Sequence, residues 1–159
     1  MREILFKGKK KDNGEWIEGY LLDGGMLGEK RIFIGKLVIG KWTVMADEFD
    51  EVDPDTICEY TGLTDKNGKK IWENDIVNIN SKKIWKNDIV NTNSNIRVQI
   101  KFGLHSNGFS TWKHNQGFYM DFMDKECYRP ELGYWAGKSV VIGNIFDNPE
   151  LLQKRGKKK

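Results

Sequence analysis

A mainly β protein, built of short strands and tight turns arranged as a barrel or sandwich with few short helices, is what this sequence predicts. Three observations carry the prediction. Seventeen glycines punctuate 159 residues, which suits frequent turns. Between them lie runs of Ile, Val, Thr, Phe, Tyr and Trp, the residues that fit a pleated, half-buried surface. Alanine occurs only at Ala46 and Ala136, far too rarely for a helical bundle. The length fits one domain, or one with a smaller appendage. With 12% aromatic residues, a compact core is attainable despite modest aliphatic content.

The elements come in order. "REILFKGKKKDNGEWIEGYLL" reads as a hairpin, because Asn13-Gly14 is a strong turn signal between two apolar runs. "KRIFIGKLVIGKWTVMA" holds further strands, broken by Gly35 and Gly40. "DEFDEVDPDT" packs six carboxylates into nine residues. Its Phe49, Val52 and Pro54 break the spacing of a calcium loop, so it reads as an acidic, solvent-facing connector. Asp65-Lys66-Asn67-Gly68 is a second turn. In "NIRVQIKFG", Ile96, Val98, Ile100 and Phe102 alternate with polar residues, the pattern of a half-buried strand. "GFSTW" and "GFYMDFM" are shorter strands, and "GKSVVIGNIF" a closing one. "DNPELLQKR" reads as a short terminal helix with Asn148 as N-cap and Pro149 at the first helical position.

Charge is unevenly placed. The formal net charge is +3, but Lys154, Arg155, Lys157, Lys158 and Lys159 alone carry five positive charges. Without them the count is 21 basic against 23 acidic residues, or −2. The body is near neutral, and its basic character sits in the tail 153–159 and in Lys7, Lys9, Lys10 and Lys11. Both clusters read as solvated, frayed tips; the sharper alternative is a salt-sensitive contact with nucleic acid. Cys58 and Cys127 show no motif spacing and are expected as reduced core residues of a cytoplasmic protein. The N-terminus shows no signal-peptide pattern, and no apolar run reaches membrane-spanning length, so no membrane association is expected.

The segment 69–94 states one message twice. Lys69–Ser81 and Lys82–Ser94 agree at eleven of thirteen positions, differing only at Glu73/Lys86 and Ile79/Thr92. A thirteen-residue offset inverts the face of a continuous strand. It also rotates a continuous helix by about 140°. The copies are therefore two separate short units, each with an Asn-Asp turn (Asn74-Asp75, Asn87-Asp88) between its Ile-Trp and Ile-Val pairs. Two units are too few for a solenoid. The apolar residues of the extra copy need burial on its own sheet or against another subunit. Lys69–Ser81 is expected to hold the core position, since the Asp65–Gly68 turn leads straight into it.

"VDPDTICEYTGLTDKNGKKIWENDIV", together with "WIEGYLL" and "VVIGNIFDNPELL", resembles the YopX family of phage and prophage proteins over about residues 2–152. The sequence departs from the family pattern in having Asn74 and Asn87 where Gly is usual, and in the doubled unit. Asn tolerates a positive φ next best after Gly, so the turn is expected to survive. The resemblance implies an SH3-like β-barrel within 57–152, after an N-terminal β region at 1–56. It also implies phage or prophage origin and self-association as a homo-oligomer. It implies no particular activity and supplies no catalytic or binding residues.

No chemistry-bearing constellation is evident. His105 and His114 stand nine apart without further ligands, so no metal site is expected. Phosphate-binding and nucleophile-elbow motifs are missing, so no cofactor is expected and an enzyme is not the reading. Asp75 and Asp88 are expected to cap their own turns. Two function classes remain. The first is a self-associating binding or assembly module, with Trp72, Trp85 and Trp112 as candidate interface residues and a protein partner left open. The second is a nucleic-acid-associated accessory protein that uses the Lys154–Lys159 tail and exposed aromatics.

Overall fold

A computed structural model describes residues 3–26, 28–81, 94–106, 114–122 and 130–153. The chain divides into two compact units, Met1–Gly62 and Leu63–Lys159. Both are built mainly of antiparallel strands.

The first unit contains β1 (Phe6–Lys9), β2 (Trp16–Gly24), β3 (Arg31–Ile39), β4 (Val44–Glu51) and the start of β5 (Cys58–Thr64), hydrogen-bonded in the order β4-β3-β2-β1-β5. The first hairpin forms as its sequence dictates. Gly14 adopts φ 72°, and the Lys10 amide donates to the Glu15 carbonyl. β3 does not break at Gly35 but runs through it to Ile39. The acidic stretch is not a connector either: through Glu51 it is strand β4, and Val52 after it is fully buried. The end of β4 returns to the end of β1 through the bridge Lys10↔Val52. The Lys11 amide donates to the Glu51 carbonyl, and the Asp53 amide to the Lys9 carbonyl. The sheet thus curls over a core of Ile32, Ile34 and Val52, with Phe6, Ile17, Leu21 and Ile57 packed against it. Cys58 is a buried free thiol that donates to the Thr56 carbonyl; Cys127 lies outside the described residues.

Beyond Gly62, β5 ends and β6 (Lys70–Trp72) is the next strand in that order. The second sheet contains β7 (Asp75–Ser81), β8 (Ser94–Ser106), β9 (His114–Asp121) and β10 (Ser139–Asn144), in the order β10-β7-β8-β9. Its buried face carries Val77, Ile79, Val98, Ile100, Met120 and Val141. The first repeat copy fills this unit: Ile71, Trp72, Ile76, Val77 and Ile79 are all buried. Nearly all of the second copy, residues 82–93, lies outside the described residues, as do all of "GFSTW" and the tail 154–159.

The described residues form two antiparallel sheets, and no closed barrel is found among them. A short helix α1 (Leu132–Trp135), which the sequence reading missed, brings Leu132 and Trp135 into the core, and Ala136 comes directly after them. This segment packs against the apolar face of the second sheet. The outer side of β9 meets the chain at Glu131, which bridges to Tyr119, while the Met120 amide donates to the Pro130 carbonyl. The expected terminal helix is a single 3-10 turn, Pro149–Leu152, and the Asn148 side chain does not cap it.

The turn between β6 and β7 shows why this sequence tolerates Asn where glycine is usual. Asn74 sits at φ 64°. Its amide donates to the Ile100 carbonyl, and its side-chain oxygen accepts from Gln99 Nε2. Asp75 caps the turn as expected, its Oδ2 accepting from the Trp72 amide at 2.9 Å; Asp88 lies outside the described residues. Asn74→Ala is expected to cost about 1–2 kcal/mol, because alanine incurs the left-handed penalty without the side-chain hydrogen bond. Asn74→Gly should stay within about 1 kcal/mol of wild type. Urea unfolding of the two variants checks the difference.

Candidate interaction surface

The long hairpin of β3 and β4 is the least covered part of the described chain. Its register runs Ile34↔Asp50 and then Lys36↔Asp47, so β4 contains one residue more than β3 over this stretch. The irregularity coincides with Glu48, a non-glycine residue at φ 48°. This is a β-bulge, which bends a strand and re-aims its side chains. Gly35 faces it. A side chain there would lie 2.6 Å from the Phe49 ring and 2.7 Å from the Glu48 carbonyl oxygen. Gly35 is therefore a site of close approach, which explains why the strand passes through it unbroken.

Past the bulge the hairpin leaves the core behind and becomes an arm. Val38 is 46% exposed, Ile39 71%, Val44 66% and Met45 57%, while Trp42 at the tip is 86% exposed. The pairs Val38↔Met45 and Ile39↔Val44 are adjacent in register, so they lie on opposite faces. The arm is apolar on both faces, and among the described residues β4 is an edge strand with one neighbour. Contiguous exposed apolar surface of this kind marks interaction sites.

At the base of the arm a cleft of about 480 Å³ is lined by Lys10, Glu15, Trp16, Glu18, Lys36, Glu48 and Asp50, among others. The acids of β4 here meet bases from elsewhere in the unit. Lys36 Nζ lies 2.6 Å from Glu48, and Lys10 Nζ 2.7 Å from Asp50. Lys11 and Arg31 each reach Glu51 at 2.6 Å. Lys7 and Lys9 stand over the Trp16 ring at 5.1 and 5.5 Å. Lys7–Lys11 are thus built into the unit and are not the frayed tip expected from the sequence.

Hydrogen bonds from Arg31 and Lys11 hold the Glu51 carboxyl down to about 2, against a usual 4.5. A carboxyl whose pKa is depressed by folding stabilises the fold above its unfolded pKa, and that contribution fades as pH falls towards the folded value. Urea midpoints of wild type and Glu51→Gln should therefore differ at pH 7 and converge near pH 2. A constant difference across that range would show the ion pairs to be irrelevant to stability.

The sequence-derived candidates fall differently. Trp72 is 5% exposed, in the core beside β7, and offers almost no surface to a partner. Trp85, Trp112, Lys154, Arg155, Lys157, Lys158 and Lys159 lie outside the described residues. His105 is buried in β8 and stacks on Tyr119 with ring centroids 5.1 Å apart, whereas His114 is exposed at the start of β9. Among the described residues no group of His, Cys, Asp and Glu could hold a metal ion. No described helix is long and apolar enough to cross a membrane. The residue that sequence reasoning missed is Trp42. Its signal was present: "LVIGKWTVMA" has unalternating apolar runs on both sides of a turn, hence apolar residues on both faces.

A crystal structure of protein EF1440 from Enterococcus faecalis is similar to this chain, with a TM-score of 0.55 at 21% sequence identity, covering 96% of this chain and 100% of that one. At that identity the likeness speaks for the fold alone. No curated protein matches the chain. The family model described as YopX protein matches residues 5–153, nearly the whole length, and the chain belongs to the YopX family.

Proposed function

We propose that this chain is a phage- or prophage-encoded accessory protein that acts inside the bacterial host as a self-associating binding and assembly module. The observation that carries this reading is the β3–β4 arm, whose apolar side chains are exposed on both faces and at the tip. A monomer gains nothing from such an arm, and burying it against another chain recovers hydrophobic free energy. In the same reading the four-stranded sheet of the second unit is an opened relative of an SH3-like barrel. The second repeat copy and its Trp85 then supply further apolar surface for assembly, beside Trp112.

The alternative, a nucleic-acid-associated protein, draws on the Lys154–Lys159 tail. It finds less support in the body, where Lys10, Lys11, Lys36 and Arg31 are matched by carboxylates. Light scattering after size exclusion, across a concentration series, tests the proposal. A mass of two or more chains that falls on dilution is expected; a monomer mass at every concentration up to the solubility limit overturns self-association. Anisotropy of labelled DNA and RNA at low and physiological salt tests the alternative, and binding that survives physiological salt would favour it.

A further inference from the structure

We propose that the two repeat copies compete for one place in the second unit. In the exchanged state Lys82–Ser94 slips by thirteen residues into the slot that Lys69–Ser81 fills. The displaced copy then becomes part of the connection before β6, and the chain alternates between two foldings of one sheet.

Three observations carry this inference. First, the residues that fit the first copy to its slot recur in the second. Ile71, Trp72, Ile76 and Val77 are buried, and Ile84, Trp85, Ile89 and Val90 repeat them. The turn depends on Asn74, bonded to Ile100 and Gln99, and on Asp75, which accepts from the Trp72 amide; Asn87 and Asp88 repeat these too. Second, the register closes without adding or removing a residue. In the described state Ile76, Val77, Asn78 and Ile79 pair with Gln99, Val98, Arg97 and Ile96. With Ile89, Val90, Asn91 and Thr92 in their places, Asn93, Ser94 and Asn95 are left to join Thr92 to Ile96. Three residues make a common hairpin loop, and its last residue is left-handed, a conformation that Asn tolerates. Third, the connections trade length. The stretch between β7 and β8 shrinks from residues 82–93 to 93–95, and the turn 65–68 grows to 65–81. Each changes about fourfold, in opposite senses, so the closure entropies offset.

The difference between the two states therefore falls on a few contacts. The end pairs Asn80↔Asn95 and Ser81↔Ser94 are lost, and the Asp65 turn no longer closes on Lys69. The largest difference is one side chain. Ile79 is fully buried and pairs with Ile96 of β8 and Ser139 of β10; the second copy has Thr92 there. A hydroxyl in place of the ethyl group disfavours the exchanged state by roughly thirty- to hundredfold. Ile79 thus sets the bias of the exchange.

Damage to one copy at a time tests the exchange. Val77 is fully buried. An aspartate in a slot that cannot be refilled should raise the unfolding equilibrium constant by about a thousandfold or more. Val77→Asp alone is expected to raise it by no more than about a hundredfold, because the second copy takes the place. Val90→Asp alone leaves the first copy seated, and Val77→Asp/Val90→Asp should show the full effect, well beyond the sum of the two. Val77→Asp/Thr92→Ile should regain most of the loss. Urea unfolding of the full chain measures all four. Occupancy is read separately. Val140 pairs with Asn78, so Asn91→Cys with Val140→Cys should form a disulfide in the Val77→Asp background. Peptide mapping distinguishes that bond from any made by Cys58 or Cys127. If Val77→Asp and Val77→Asp/Thr92→Ile both unfold as readily as Val77→Asp/Val90→Asp, the exchange is overturned. A folded Val77→Asp that forms no such disulfide overturns it as well, since the aspartate is then accommodated in place.

Discussion

Replacing Gly19 by alanine is expected to cost the first unit about 3 kcal/mol or more, at the upper end of single-residue effects. Gly19 lies in β2 between β1 and β3, opposite Phe6 in one register and beside the Tyr20↔Gly35 pair in the other. A Cβ built on it would come within 2.1 Å of the Gly35 carbonyl oxygen and 2.7 Å of its carbonyl carbon. Both atoms are main chain, so no rotamer change relieves the contact; β2 and β3 must separate. The two glycines let the strands press together where the sheet curls, and that curl brings the end of β4 to the end of β1 at Lys10↔Val52. Separation should therefore also weaken the ion pairs Lys10–Asp50 and Lys11–Glu51. Gly24→Ala is the control, since nothing lies within 4 Å of a Cβ there; its effect should stay below about 0.5 kcal/mol. Urea unfolding followed by tryptophan fluorescence compares them. Equal midpoints for the two variants would show that the strands yield with little loss of stability.

What could be read from the sequence, and what could not, divides along physical lines. Turns were legible because they impose a local requirement. Gly14, Gly68 and Asn74 all adopt positive φ where Asn-Gly, Asp-x-Asn-Gly and Asn-Asp marked them. The alternation in β8 was legible for the same reason: a period of two reports one buried face directly. Gly35 was misread because a glycine that makes a turn and a glycine that admits a neighbouring main chain look identical in sequence. The acids of β4 were misread because their partners are remote; Glu51 meets Lys11 forty residues away. Without those partners a run of carboxylates looks solvated. The contrast between Trp72 and Trp42 is the clearest case for the interaction surface. Both come after a strand-like run, yet one is sealed beneath its sheet and the other stands at the tip of an edge hairpin. Only the strand order tells them apart. Helix α1, at four residues, is shorter than any periodicity can reveal.

Asp65→Ala is expected to destabilise the second unit by about 3–5 kcal/mol, because one buried carboxylate there satisfies three main-chain donors. Its Oδ1 accepts from the amides of Asn67 at 2.8 Å and Lys69 at 3.0 Å, which closes the turn before β6. Its Oδ2 accepts from the amide of Val141 in β10 at 3.0 Å, seventy-six residues away. The side chain therefore pins a local turn to the strand that pairs with the first repeat copy. Alanine would leave the Val141 amide buried without its acceptor, which carries the full desolvation penalty of that group. Asparagine keeps one acceptor oxygen but sets an NH₂ group against an amide, so Asp65→Asn should recover only part of the loss. The carboxylate also makes a pH signature. Burial works to raise its pKa, but the hydrogen bonds from Val141, Lys69 and Asn67 together prevail and hold it below the usual 3.8. A depressed folded pKa means that the stabilisation is complete above about pH 4 and is lost as acid protonates the folded state. Wild type should thus weaken below pH 4 more steeply than Asp65→Asn, which has no proton to gain there. Parallel acid slopes for the two proteins would show that Asp65 holds the turn by shape alone and that its charge contributes nothing.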